Sequence, residues 1–148
     1  MTSSWRDKSA IDTMLDDYET WAVVGLGDNP WRSAYSVAED LQSHGKRVVP
    51  IHPAAADGEL VVLGEKAYPT LADVPFPIDV VDVFRRSEAA GEFADQAIQI
   101  GAKGVWFQMG VVDEAAFQRA GDAGLLTVMD ACPSREWYVR ERTARASG

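Results

Sequence analysis

Five apolar runs of six to eight residues punctuate the chain: WAVVGL at 21–26, KRVVPI at 46–51, IDVVDVF at 78–84, KGVWFQMG at 103–110 and LLTVMD at 125–130. Between them apolar residues recur at every third or fourth position. Ile11, Met14, Leu15 and Tyr18 predict an amphipathic helix over 7–18 packed on the domain, and Tyr35, Val37, Ala38 and Leu41 predict one over 32–44 that stops at Gly45. SEAAGEFADQAIQI predicts a further helix ending at Gly101, and DEAAFQRAGDAG another with Asp113 as N-cap. The stretch 54–78 is irregular, with a short apolar ELVVL at 59–63 and a turn-rich GEKAYPTLADVPFP. From Pro133 the tail is again helical in pattern.

Apolar strands alternating with amphipathic helices mean βαβ units, hence a parallel sheet buried on both faces with right-handed crossovers. The expected fold is a Rossmann-like, doubly wound α/β domain with a five-stranded sheet in the order 3-2-1-4-5 and helices on both faces. One domain is expected over 1–148: N-terminal helix 7–18, core 21–132 and C-terminal helical tail 134–146. Ligands of such sheets bind beyond the C-terminal strand ends, at the switch point beside the first strand.

Composition narrows what the ligand is. The chain has 148 residues, 47% hydrophobic and 25% charged, as in globular domains. Its net charge of −9 argues against nucleic acid, which requires a broad basic surface, but a few local cations suffice for a small anion. No apolar stretch approaches the ~20 residues of a membrane span, and MTSSWRDKSAIDTMLDDYE has no signal-peptide core. One cysteine, Cys132, excludes an internal disulfide and fits a cytoplasmic location. Metal-ligand spacings are absent.

The candidate chemistry gathers at strand ends. Gly25-Leu26-Gly27 closes the first strand as a dinucleotide turn does, but Pro30 stands where a third glycine belongs. The turn carries Asn29, then Arg32 and Ser33 at the helix entrance, a suitable place for a phosphate. The second strand ends in His52-Pro53, with no carboxylate before Asp57, whereas an NAD site places an acid there for the ribose hydroxyls. That absence, with Lys66 beyond it, favours a ribose bearing a 3′-phosphate. Phe84, Arg85 and Arg86 follow the third strand, and Gln108 ends the fourth, where it suits a ligand amide. Trp106 and Met109 are expected in the core. His44 reads as a helix-end residue, and no nucleophile–base pair can be argued, so no catalytic residue is assigned. Cys132 reads as structural and the arginines of the tail, Arg135, Arg140, Arg142 and Arg145, as a solvated helix that offers an oligomer contact.

The segments VVGLGDNPWRSAYSVAEDLQSHGKRVVPIHP, LGEKAYPTLADVP, DVVDVFRR, AIQIGAKGVWFQMGVV and MDAC resemble, in order and spacing, the small bacterial CoA-binding proteins, which are similar to the N-terminal CoA-binding domain of the succinyl-CoA synthetase α subunit. The resemblance runs from about Trp21 to Cys132. It implies a Rossmann-like fold that holds coenzyme A, with the pyrophosphate against Gly25 to Ser33, the adenosine end near His52, Pro53 and Lys66, and Phe84 and Arg85 bordering the same crevice. Three departures stand out. Ser33-Ala34 replaces the family's Pro-Ser before Tyr35, His52-Pro53 replaces an Asn-Pro, and Pro133-Ser134-Arg135-Glu136 replaces a Lys-Ile-Glu-like stretch.

The expectation is a stand-alone CoA or acyl-CoA binding protein, a sensor or carrier without turnover of its own, working with neither nucleic acid nor membrane and meeting a second copy or an acyl-CoA enzyme as partner. An NAD(P)-binding oxidoreductase and an interaction module with a vestigial crevice are the two other readings of the same residues.

Overall fold

The structure is a computed structural model that describes residues 4–147. Residues 1–3 and 148, the two ends of the expected domain, lie outside the described residues. In chain order the elements are α1 Lys8–Asp17, β1 Thr20–Val24, α2 Ser33–Ser43, β2 Arg47–Ile51, β3 Val61–Val62, β4 Glu65–Lys66, β5 Val80–Val83, α3 Ser87–Gln99, β6 Gly104–Gln108, α4 Glu114–Asp122, β7 Leu126–Ala131 and α5 Pro133–Ser147. Two 3-10 turns, Pro53–Asp57 and Leu71–Asp73, break the long connection after β2. The five expected strands are β1, β2, β5, β6 and β7, while β3 and β4 form a small antiparallel hairpin. Asp113 caps α4 as expected, accepting from the Ala116 N–H at 3.0 Å, and Asp7 does the same for α1 through Ala10.

The sheet is parallel throughout, but its order is β2-β1-β5-β6-β7. In the numbering of the five expected strands that is 2-1-3-4-5, not 3-2-1-4-5. The reason lies in β2. Pro50 has no N–H, and a proline inside a sheet belongs on an edge strand. The outer edge of β2 is then taken up by the following connection: Tyr68 donates its N–H to the Pro50 carbonyl at 2.9 Å, and His52 donates to the Tyr68 carbonyl at 3.0 Å. With no crossover helix between 52 and 79 and that edge occupied, β5 docks on the free side of β1. The switch point therefore falls between β1 and β5, still beside the first strand.

Each face of the sheet has its own core. Trp21, Val23, Val48, Val80, Trp106 and Val128 pack under α1, α2 and α5. Val24, Val49, Val81, Val83, Val105, Phe107 and Met129 pack under α3 and α4, whose buried side chains are mostly alanine. Trp106 is in the core as expected, its indole N–H bonded to the Ala131 carbonyl at 2.9 Å. One polar residue interrupts the first face: Asp82, opposite Val23 and Trp106, is fully buried and neither carboxylate oxygen has a hydrogen-bond partner. Burial alone pushes its carboxyl well above the usual range.

The tail is more than a solvated helix. Trp137 of α5 is buried and stacks flat on His44 at the end of α2, with ring centroids 3.8 Å apart. Arg140 ties the same helix to Asp12 and Asp16 of α1, the Asp16 contact being 2.8 Å. Trp137 is the one large side chain of the helix that is buried, Tyr138 and Val139 being exposed and most of the rest polar, so hydropathy averaged over the tail conceals the attachment. Among the described residues no helix is long and apolar enough to cross a membrane.

Candidate functional site

Past the C-terminal ends of β1, β5, β6 and β7 lies a cleft of about 1750 Å³. That exceeds the ~300–1,000 Å³ typical of small-ligand pockets, so it suits a long ligand. Of the sequence candidates, Gly25, Gly27, Asn29, Arg32, Ser33, His52, Phe84, Arg85 and Gln108 line it together. Leu26 does not: it is fully buried beneath the turn. Pro53 opens the 3-10 turn after His52, outside the lining. Lys66 sits on β4 with its ammonium 5.3 Å above the Tyr68 ring, also outside the lining.

The turn after β1 is built around two glycines that sequence pattern alone treats alike. Gly25 has φ +95°, and a Cβ there would fall 2.7 Å from the Phe84 carbonyl oxygen. Its N–H is held by Ile51 at 2.9 Å. Gly25 is thus required by the fold itself. Gly27 has no such backbone demand; a Cβ there would meet the His52 ring at 3.1–3.2 Å. The imidazole is fixed in turn, since its Nδ1 accepts the Ala54 N–H at 3.0 Å. A neutral ring in that arrangement carries its proton on Nε2, next to Gly27. Asn29 serves the loop: its side-chain oxygen accepts from Trp31 at 3.0 Å and its carbonyl from Arg32 at 3.2 Å. Trp31 projects from this loop almost wholly into solvent, 92% exposed.

The helix that follows starts open. Arg32 is the N-cap of α2, no side chain caps it, and its first turn has no acid. Ser33, Ala34 and Ser36 of that first turn, and Val37 just beyond it, line the cleft. Four arginines surround it: Arg32, Arg85, Arg86 and Arg135. Among the described residues none of the four is in an ion pair, whereas Arg6, Lys8, Lys103, Arg119 and Arg140 all are. Asp28, Glu39, Asp40 and Glu88 also border the cleft without pairing to those arginines. An uncapped helix start beside unpaired guanidinium groups is a site for an anion with several oxygens, phosphate above all.

At the far side the lining is mixed. Gln108 is 8% exposed, and its Oε1 has no partner. Met109, expected in the core, is exposed on the cleft rim, because β6 ends at Gln108 and Gly110 turns the chain outward with φ +85°. Cys132, Ser134 and Arg135 complete this side. Of these, Ser134 and Arg135 were not read as site residues from the sequence. They directly follow the last strand, the same position that singled out the other loops, and that signal was available.

The comparisons with known proteins agree with this geometry. The family model described as a CoA binding domain matches residues 19–138. An uncharacterized protein of Bacillus subtilis, YneT, is 35% identical over 125 residues, covering 84% of this chain and 90% of its own. A hypothetical protein from Pyrococcus horikoshii superposes with a TM-score of 0.81 at 36% identity, over 92% of this chain and 94% of the other. The dinucleotide-forming acetyl-coenzyme A synthetase 1 of Ca. Korarchaeum cryptofilum shares the fold, with a TM-score of 0.63 at 24% identity over 78% of this chain and 26% of that one. Sequence and structure together establish that the chain belongs to the CoA-binding domain family.

Proposed function

We propose that the cleft binds coenzyme A or its acyl thioesters, and that the protein acts as a sensor or carrier of the bound ligand with no turnover of its own. The observation that carries this is the uncapped start of α2, with Arg32 at its N-cap, in a cleft whose other arginines, Arg85, Arg86 and Arg135, are likewise outside any ion pair among the described residues. Asp28, Glu39, Asp40 and Glu88 border the same cleft, but none of them holds an arginine in an ion pair, so the guanidinium groups are free to turn to a polyanion.

In this reading the pyrophosphate lies against Gly25, Gly27 and Ser33 with Arg32 over it. The adenosine end lies toward His52, with Phe84 and Arg85 at its side, and the pantetheine arm runs toward Gln108. An ionised acid at the end of β2 would favour a free ribose diol; the residue there is His52, which supports CoA over NAD.

Titration with CoA, acetyl-CoA, NAD and NADP, followed by tryptophan fluorescence through the exposed Trp31, tests the reading. The expected result is saturable binding of CoA and acetyl-CoA in preference to both dinucleotides. Gly27→Val, which drives a branched side chain into the His52 ring and the phosphate path, is expected to weaken CoA by tenfold or more while the protein stays folded. A folded Gly27→Val protein with parental affinity overturns the placement.

A further inference from the structure

The strand order turns the cleft into a ruler. From the end of β1, where the phosphates are proposed to sit, the cleft floor passes β5 and β6 to β7. That is three interstrand spacings, roughly 14 Å. The pantetheine arm has a backbone about as long as four amino-acid residues, which is also about 14 Å when extended. An arm anchored at the Gly25–Ser33 turn and laid across the strand ends therefore brings its terminal sulfur to the end of β7. The residue there is Cys132, the sole cysteine of the chain.

Two further features point to that end as a ligand contact. Gln108 pairs in register with Ala131, the residue before Cys132, so its orphaned Oε1 stands one strand short of the thiol. Oε1 is an acceptor buried without a donor, at the point where the last amide N–H of an extended pantetheine would pass. β7 also carries a bulge. Trp106 pairs with Val128, but Gln108 pairs with Ala131, which leaves one extra residue on β7. The bulge centres on Asp130, at φ +58°, whose carboxylate accepts from the Gly110 N–H at 2.8 Å and pairs with Arg6 at 3.0 Å. Bulges re-aim the residues beyond them; this one sets Ala131 and Cys132 on the α2 face, where Cys132 lines the cleft.

We propose that Cys132 is a thiol–disulfide exchange site for the bound coenzyme, so that CoA disulfide is captured as a covalent Cys132–CoA adduct. This rests on the reading of the cleft as a CoA site. The Cys132 thiolate attacks one sulfur of CoA disulfide, a Cys132–S–S–CoA bond forms, the S–S bond of the disulfide breaks, and one CoA leaves as its thiolate. The oxidant is CoA disulfide itself, and a dithiol reductant reverses the step.

The test follows the intact mass of the protein during incubation with CoA disulfide and, separately, with glutathione disulfide, which lacks the nucleotide. Reversible CoA binding is measured in parallel under reductant, where no disulfide forms. The expected result is a single CoA adduct appearing at least tenfold faster than the glutathione adduct, slowed by excess adenosine 3′,5′-bisphosphate, released by dithiothreitol, and missing in Cys132→Ser. CoA that binds under reductant, with an adduct rate no faster than glutathione's, overturns the exchange site and leaves the binding reading intact. No CoA binding under reductant removes both.

Discussion

The two ends of the parallel sheet are finished in opposite ways. At the N-terminal end polar groups close on one another. Asp79, just before β5, accepts the N–H groups of Glu19 and Thr20 at 3.0 and 3.1 Å and faces Lys103 at 3.4 Å. Lys46 donates to the Tyr18 carbonyl at 2.8 Å, which also takes the Trp21 indole N–H. At the C-terminal end Arg32, Arg85, Arg86 and Arg135 have no ion-pair partner among the described residues, α2 starts uncapped, and the Gln108 Oε1 is alone. Buried and half-buried polar groups are normally paired within the protein. One end obeys that rule and serves stability; the other leaves donors and an acceptor open, as the proposed ligand site requires.

Between the two ends lies Asp82, and its titration is the largest way to sharpen the contrast. Burial holds its folded-state carboxyl well above the unfolded value of 3.8. The unfolded chain therefore releases this proton first, and the stability associated with the neutral group is complete below about pH 4 and is lost as pH rises toward the folded-state value. Asp79 behaves in the opposite sense. Burial pulls it upward, but the Thr20 and Glu19 N–H groups and Lys103 outweigh that and lower it below 3.8. Its contribution is present above that pH and is lost as pH falls through the lowered value. Urea unfolding across pH 4–9 is expected to show parental stability declining toward alkaline pH. Asp82→Asn, which keeps the hydrogen-bonding shape of the neutral acid, is expected to flatten that decline. An unchanged slope contradicts the burial argument.

Next in size is Asp79→Ala, which strips two backbone donors and a lysine of their acceptor. Loss of about 1–3 kcal/mol in urea unfolding at pH 7 is expected, with CoA affinity as in the parent. A change in affinity without loss of stability inverts the assignment of the two ends.

Smaller effects belong at the open end. Arg32→Ala is expected to weaken CoA by about tenfold or somewhat less, since the group is solvent-exposed, and to leave stability within about 0.5 kcal/mol. Binding is also expected to depend less steeply on salt in this variant. Lys66→Ala is the smallest: with its ammonium over Tyr68 and outside the cleft lining, the preference for CoA over 3′-dephospho-CoA is expected to shift by less than about twofold. Titration of both ligands against both variants separates these outcomes; a lost preference in Lys66→Ala restores the lysine to the site.

Most of the architecture was legible without coordinates, because hydrophobic period and capping are local properties. The strand over Trp21–Val24, the stop at Gly45, the break at His52-Pro53 and the Asp113 cap are each written within a few residues. So was the placement of a cleft beside the first strand, which follows from parallel βαβ winding. Which side of β1 receives β5 was not settled by period, since a strand buried on both faces reads the same wherever it docks. Pro50 held the deciding hint, and the hydrogen bonds of Tyr68 along the β2 edge made it binding. Likewise, the sequence named basic residues near strand ends but not which of them converge. Lys66 is carried away by a hairpin, while Arg135 is brought in by the start of a helix anchored through the Trp137–His44 stack and the Arg140 ion pairs. Local pattern fixes what a segment is; where its side chains meet depends on contacts between residues far apart in the chain, and only the packed structure decides those.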